Sequence, residues 1–179
     1  MNGELTTSYV IGNSIHDSYA RCITIHGTHF LRVQNNVGYN MKGHAIFMED
    51  GIETNNVITG NFMVGARQSW IMLQKDISVS TYWITNPYNT VRDNRSGGSE
   101  WYGFWYEIKE HPDGPSATGD ICPQGILLKE FSDNIAHSNG RFGLRVFIMA
   151  PRKYPCQPVM DKNLESGPFD ANPAIWSVF

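Results

Sequence analysis

The stretch RVQNNVGYNMKGHAIFMEDG, residues 32–51, decides the fold of this chain. It holds two short runs of apolar, β-branched and aromatic residues, and glycines and asparagines lie between and within them. Short runs of strand-forming residues bounded by Gly, Asn and Asp are typical of β-strands and their turns. The stretch therefore predicts short strands joined by tight turns.

The same pattern recurs along the chain, and Asn13 and Asn36 mark its first two copies, 23 positions apart. Later copies are spaced less regularly because loops are inserted. A repeat of 20–25 residues with two short strands and an asparagine at a turn predicts an all-β fold, a right-handed parallel β-helix. In this single-stranded solenoid of short strands with inserted loops, the stacked turn residues are Asn13, Asn36, Asn61 and Asn134. The alternative, a β-sandwich, does not require aligned repeats.

The repeats occupy residues 1–150, and a Pro-rich tail, 151–179, runs toward a further coil or a neighbouring domain, as in a partial chain. The chain has 179 residues, a formal net charge of -3 and 17% charged residues. It has no basic run, so nucleic acid is not an expected partner. It also lacks an apolar run of roughly 18–20 residues, so this segment is not expected to contact a membrane.

Strand side chains alternate between faces, so the second strands of the repeats can be aligned into ladders. The ladders expected inside are Ile23, Ile46, Trp83, Phe104, Leu144 and Ile25, Met48, Thr85, Tyr106, Val146. Those expected outside are Thr24, Phe47, Ile84, Trp105, Arg145 and His26, Glu49, Asn86, Glu107, Phe147. The opposite phase would bury His26, Glu49 and Glu107 and is rejected on that ground.

The outward ladders are the candidate binding face for a polysaccharide or a protein. Aromatic rings stack on sugar faces and polar groups bond to hydroxyls, which makes His26, Phe47, Glu49, Asn86, Trp105 and Glu107 the candidates. Glu49 and Glu107 would lie two rungs apart, roughly 9–10 Å. That is at the upper edge of the roughly 6.5–9.5 Å carboxyl separation of inverting glycosidases, so they are an alternative catalytic pair. A solvated face, or one covered by a neighbouring domain, remains the simpler interpretation.

The segment MEDGIE, residues 48–53, places three acids around a glycine. Asp50 and Gly51 form a strong turn signal, with Gly51 supplying a positive φ. A Ca²⁺ ion needs six to eight oxygen ligands, more than these acids provide. We therefore expect no metal or cofactor, with Ca²⁺ as the alternative, and Glu53 is a weaker functional candidate than Glu49.

Three cysteines are too few for a disulfide scaffold. Cys22 lies in an apolar run and is expected in the core, whereas Cys122 and Cys156 lie in Pro-rich loops and could pair in an oxidising compartment. The sequon at Asn94 is a candidate glycosylation site, although it falls in the turn position of the repeat, which favours an unmodified side chain.

Several long segments resemble the β-helix region of the fibrocystin-L-like family: residues 24–57, 82–116, 121–125 and 128–147, the second of which contains TNPYNT, GFWY and HPDGPS. More distantly, the chain is similar to cell-migration-inducing and cell-surface hyaluronidases. The resemblance implies an extracellular or cell-surface location within a larger membrane-anchored or secreted protein, with neighbouring domains of that protein as partners.

The function expected from sequence is therefore structural display, or carbohydrate or partner binding, in a receptor-like ectodomain. The alternative is a hydrolase module acting on hyaluronan-like glycosaminoglycans through Glu49 and Glu107. Whether the chain is an enzyme stays open and leans toward no, because the acidic outward ladder would repel a polyanion.

Overall fold

The computed structural model describes residues 8–70 and 77–146, which form an all-β solenoid. Two 3-10 helices, Gly114–Ser116 and Pro123–Gly125, lie in the long connection before β13. The strands in the described residues are β1 (Tyr9–Ile11), β2 (Ser14–Ser18), β3 (Ile23–Ile25), β4 (Arg32–Gln34), β5 (Val37–Lys42), β6 (Ile46–Met48), β7 (Val57–Thr59), β8 (Phe62–Arg67), β9 (Ser80–Ile84), β10 (Thr90–Arg92), β11 (Arg95–Gly97), β12 (Tyr102–Tyr106), β13 (Glu130–Ser132), β14 (Ile135–His137) and β15 (Phe142–Val146).

Three parallel sheets of five strands make up the solenoid, and neighbours within a sheet are three strands apart in sequence. The orders are β1-β4-β7-β10-β13, β14-β11-β8-β5-β2 and β15-β12-β9-β6-β3. Each coil therefore adds one strand to every sheet, and the predicted parallel β-helix is confirmed. The predicted unit of two strands was wrong, because Asn35, with φ 54°, turns the chain between β4 and β5 and divides the first run in two.

A ladder of buried asparagines holds the bend between the first and second sheets. The backbone N–H and the Nδ2 of Asn36 both donate to Oδ1 of Asn61, and Asn61 repeats the pattern toward Asn94. The Nδ2 of Asn61 also donates to the carbonyl of Val33 in the preceding coil. The same network extends to Asn13 at one end and Asn134 at the other. Buried amides are affordable here because each finds partners in the adjacent coil.

A second asparagine ladder, which the sequence analysis missed, lies before the first sheet. Leu31 N–H donates to Oδ1 of Asn56, and Asn56 N–H donates to Oδ1 of Asn89. The Nδ2 groups donate to carbonyls of neighbouring residues, including Thr28 and Glu53. Its only signal in the sequence is an asparagine just before β7 and β10.

Side chains of the third sheet do not alternate strictly between the inner and outer faces. As a result, the observed pairing of β9 with β6 differs by one residue from the predicted alignment. Ile46 pairs with Tyr82 and Phe47 with Trp83, so Tyr82 belongs to the inner ladder where Trp83 was expected. Ile84 is in the core as well, whereas it was predicted outside. At or near the start of each of these strands, two consecutive residues face inward, a small one and then a large one. The pairs are Cys22-Ile23, Ala45-Ile46, Thr81-Tyr82, Gly103-Phe104 and Gly143-Leu144.

The core inside the three sheets consists mainly of Ile, Val, Met, Phe and Tyr side chains. Cys22 is partly buried against this core, and burial raises the pKa of its thiol to about 11, so this free cysteine has little thiolate at neutral pH. Phe147, Cys156 and the predicted tail 151–179 lie outside the described residues. Residues 8–70 and 77–146 contain no helical segment with the length and hydropathy of a membrane span.

Candidate functional site

The aromatic side chains on the outer face of the third sheet are buried against one another, so they are not open to a ligand as predicted. Phe47, Trp83 and Trp105 are at most 7% exposed and pack with Tyr102 into a second apolar cluster. The guanidinium of Arg145 lies over the Trp105 ring, 4.4 Å from its centroid. Phe47 and Trp105, predicted as platforms for sugar rings, are therefore packing residues, because their faces are taken by neighbouring rings and cations.

Polar side chains gather where the strands of the third sheet end. The Nδ1 of His26 lies 3.2 Å from Oε2 of Glu49 and 3.5 Å from Oδ1 of Asp50. His26, following β3, and Glu49, following β6, come from adjacent coils. The His26 side chain is 44% exposed, whereas the Asp50 side chain is 1% exposed. An imidazole held at one ring nitrogen keeps its other nitrogen for a ligand.

Asp50 is more than the turn residue expected from the sequence. Its Oδ2 atom is buried and has no hydrogen-bond partner in the described structure, while Oδ1 approaches His26. A buried carboxylate with an unsatisfied oxygen is uncommon and calls for a functional or structural reason. In the sequence, the pair of adjacent acids before Gly51 is the signal for this buried carboxylate, but Asp50-Gly51 is equally typical of a turn.

Glu53 closes the turn. Its Oε1 accepts hydrogen bonds from the backbone N–H groups of Gly27 and Asp50, and its Oε2 accepts one from Gly51. Gly51 takes a φ of 92°, as its place at the turn requires. The fully buried Glu53 therefore joins two coils. Its carboxylate accepts only backbone N–H groups, so this geometry does not support a contact with a ligand.

The long connection after β12 forms a wall beside these residues. Asp113 N–H donates to the carbonyl of Asp50, and a Cβ on Gly114 would come within 2.9 Å of Asp50 Oδ1. The Nζ of Lys109 donates to Asp113 at 2.7 Å. We call the polar surface that this wall and the His26–Glu49 pair form above the buried Asp50 the acidic cleft; its residues are His26, Glu49, Asp50, Asp113 and Gly114.

Glu107 lies on the outward ladder as predicted, whereas Asn86 lies in a buried turn. The register places Glu107 on the ladder of Glu49, two coils away, with Thr85 between them instead of Asn86. One Glu107 oxygen is buried. Asn86 is wholly buried, donates to the carbonyl of Gly51 and accepts from Tyr88 N–H, so it is a turn residue and not an outward ligand contact.

The remaining candidates concern metal, disulfide and glycan. In residues 8–70 and 77–146, no group of three His, Cys, Asp or Glu side chains is placed to hold a metal ion.

Cys122 is disulfide-bonded, and its predicted partner Cys156 lies outside the described residues, so that pairing stays a prediction. Asn94 is fully buried with its Nδ2 donating to Ile58 and Asn134, a position that leaves no space for a glycan in the folded chain.

Comparison with known proteins adds a family to this geometry. A family model described as "CEMIP beta-helix" matches residues 1–144. Fibrocystin-L of Mus musculus is 49% identical over 140 residues, which is 78% of this chain and 3% of that protein. Human fibrocystin-L is 46% identical over the same shares. The chain thus spans only a small fraction of these relatives.

More distant relatives carry names that mention hyaluronan. The human "Cell migration-inducing and hyaluronan-binding protein" is 35% identical over 164 residues, 76% of this chain and 12% of the relative. The human "Cell surface hyaluronidase CEMIP2" is 31% identical over 206 residues, 93% of this chain and 14% of the relative. These similarities cover the β-helix and leave most of each relative unmatched.

Proposed function

Because this chain belongs to the CEMIP beta-helix family, we propose that it is an extracellular β-helix segment of a much longer, fibrocystin-L-like protein and binds carbohydrate at the acidic cleft. The observation that carries the proposal is the half-exposed His26 ring, held by Glu49 beside the buried Asp50. A few polar groups held in fixed orientations are what gives a ligand site its specificity.

Two further features support an extracellular setting. Disulfides form and persist in oxidising compartments, and Cys122 is disulfide-bonded. One relative is named as a cell-surface protein. A rigid solenoid suits display, because the third sheet holds His26 and Glu49 directly after β3 and β6.

The charge of the cleft selects among carbohydrates. Glu49 lines it with the buried Asp50 behind, whereas the charge of Asp113 is offset by its ion pair with Lys109. Carboxylates near one another repel a polyanion and accept hydrogen bonds from hydroxyl groups. The cleft is therefore better matched to a neutral polysaccharide than to hyaluronan.

The test compares binding and chain length. The 179-residue chain is incubated with size-defined hyaluronan and with a neutral β-glucan, and binding is measured by biolayer interferometry. We expect binding to the neutral polymer that falls at least tenfold in His26→Ala and Glu49→Gln. Glu130→Gln, a carboxylate change on the first sheet, is the matched control and should bind normally. Binding of neither polymer, or equal loss in the control, would overturn the assignment.

Hydrolysis of glycosaminoglycan is the second candidate, favoured by one observation. Glu49 and Glu107 share a ladder two coils apart, close to the carboxyl separation of inverting glycosidases, roughly 6.5–9.5 Å. The buried oxygen of Glu107 opposes it, since a general acid must reach the leaving group. Size-exclusion chromatography of the same hyaluronan samples decides: shortening that is abolished by Glu49→Gln or Glu107→Gln would establish hydrolysis.

A further inference from the structure

A polar pocket lies at the other end of the third-sheet strands, away from the acidic cleft. It has a volume of about 310 Å³ and is lined by Asp17, Ser18, Tyr19, Asn40 and Lys42. Asp17 and Ser18 end β2 and Lys42 ends β5, so the pocket precedes β3 and β6, whereas His26 and Glu49 follow them. None of the functional expectations from sequence involved these residues.

Tyr19 is the aromatic residue of this pocket, and its side chain projects from the bend into solvent. The residue is 81% exposed, although a tyrosine ring is largely apolar. The loop that carries it is closed by Ser18, whose Oγ donates to the carbonyl of Arg21 and accepts from Ala20 N–H. Lys42 Nζ lies 4.9 Å from the ring centroid on one face, so the other face is available to a ligand.

The polar groups around Tyr19 are held in place by one another. Asn40 Nδ2 donates to Asp17 Oδ1 at 2.7 Å, and Asn40 Oδ1 accepts from Arg67 Nε. The hydrogen bond from Asn40, followed by the one from His16, lowers the pKa of Asp17, which is therefore ionised at neutral pH. Lys42 and Asp17 thus place opposite charges beside the ring, and the charge of Arg67 is offset by Glu100, 3.7 Å away.

We propose that this pocket binds a single neutral pyranose ring, whose apolar face stacks on Tyr19 while its hydroxyls bond to Asp17, Asn40 and Lys42. The volume lies at the lower end of the roughly 300–1,000 Å³ of small-molecule sites, which suits one ring rather than an oligosaccharide. Balanced charge favours a neutral sugar over a uronate or sulfated one. Fixed planar polar groups beside an exposed aromatic supply both stacking and orientation.

The test uses saturation-transfer-difference NMR on the whole chain with methyl glucoside, methyl galactoside, methyl mannoside and N-acetylglucosamine as probes, and with glucuronate as the charged comparison. We expect transfer to the ring protons of at least one neutral probe and at least fivefold less to glucuronate. Tyr19→Ala should abolish the transfer, and Lys42→Met should reduce it.

Tyr9→Ala is the matched control, because Tyr9 is 62% exposed and also carries a cation over its ring, Arg32 at 5.5 Å, but lies on the first sheet outside the pocket. It should leave the transfer unchanged. Equal loss in Tyr9→Ala and Tyr19→Ala would mean unspecific stacking and overturn the proposal. The absence of transfer to every neutral probe would overturn it as well. Loss of polysaccharide binding at the acidic cleft would not affect it, since Tyr19 and His26 lie at opposite ends of β3.

Discussion

Two bends of the same solenoid use polar residues in opposite ways. At the bend between the first and second sheets, an asparagine stands in every described coil, and its amide is satisfied by its neighbours in the ladder. At the bend after the third sheet, successive coils place His26, Glu49, Thr85 and Glu107. The repeated residue serves the winding of the chain, and the residues that vary from coil to coil supply the cleft. Regularity thus marks structure in this fold, and departure from it marks the candidate site.

The sharpest way to test this contrast is to remove one asparagine from the centre of the ladder. Asn61→Ala would leave the Asn36 N–H and Nδ2 and the Val33 carbonyl without their partner. Because each buried unsatisfied group costs about 1–3 kcal/mol, we expect a loss of about 3–5 kcal/mol in the free energy of unfolding, measured with urea.

The matched control for that change is Asn13→Ala, the same residue type at the exposed end of the ladder. It removes only the side-chain bond to Asn36, so the expected loss is below about 1 kcal/mol. If the two variants lost equal stability, the ladder would not be the element that holds this bend.

Within the segment MEDGIE, Glu53 and Glu49 should separate structure from binding. Glu53→Gln replaces a carboxylate that accepts three backbone N–H groups. Since hydrogen bonds to a charged group contribute roughly 1.5–3 kcal/mol each and only part is lost, we expect about 2–3 kcal/mol less stability in urea unfolding. Glu49→Gln should change stability by less than about 0.5 kcal/mol and weaken ligand binding instead. A larger stability loss for Glu49→Gln would reverse the assignment of the two acids.

A Gly→Ala change should destabilise the protein more at Gly51, where neighbouring atoms crowd the added Cβ, than at Gly12, which has a similar positive φ and open space around it. In Gly51→Ala, a Cβ at a φ of 92° would meet Lys109 Cγ at 2.9 Å, for a loss of about 2 kcal/mol. Gly12→Ala has a φ of 70° with nothing within 4 Å, and its loss should be about 1 kcal/mol from the backbone alone. Thermal unfolding of both variants measures the difference, and equal values would show that the wall at Lys109 yields without cost.

The smallest effect expected concerns Asp17 and pH. Hydrogen bonds from Asn40 and His16 lower its folded-state pKa, so its stabilising effect is complete above the unfolded value, about 3.9, and disappears as pH falls through the folded value. The melting temperatures of the wild type and Asp17→Asn should therefore differ slightly at pH 7 and converge as pH falls below about 4. A difference that grows toward acid pH would contradict this sign.

Much of the fold could be predicted because its signals are local and repeated. Asn13, Asn36, Asn61 and Asn134 were assigned to one turn because each recurs beside an apolar residue, and they share one ladder. The register at β9 could not be read from alternation, because two consecutive residues face inward at or near the start of each third-sheet strand. Aligning the small residue of each pair, such as Ala45 with Thr81, would have placed Tyr82 correctly.

The candidate site was only partly predictable. His26 and Glu49 were placed on one outward ladder and lie in contact, but Asn86 proved to be buried and Phe47 and Trp105 to be covered by packing. Side-chain alternation tells which face a residue takes, and it does not tell what covers that face. The pocket at Tyr19 was missed because Asp17 and Asn40 meet only across adjacent coils.

The sequence by itself determined the winding of this protein, because short apolar runs and a recurring asparagine set repeating coils that satisfy their hydrogen bonds on one another. It did not show the third strand of each coil. Only the tertiary structure decided which polar groups meet. Asp50 became a buried partner of His26, and Glu53 became a cap for three backbone amides. The physical reason is that these contacts join different coils and a non-repeating insert, whose relative positions no local pattern encodes.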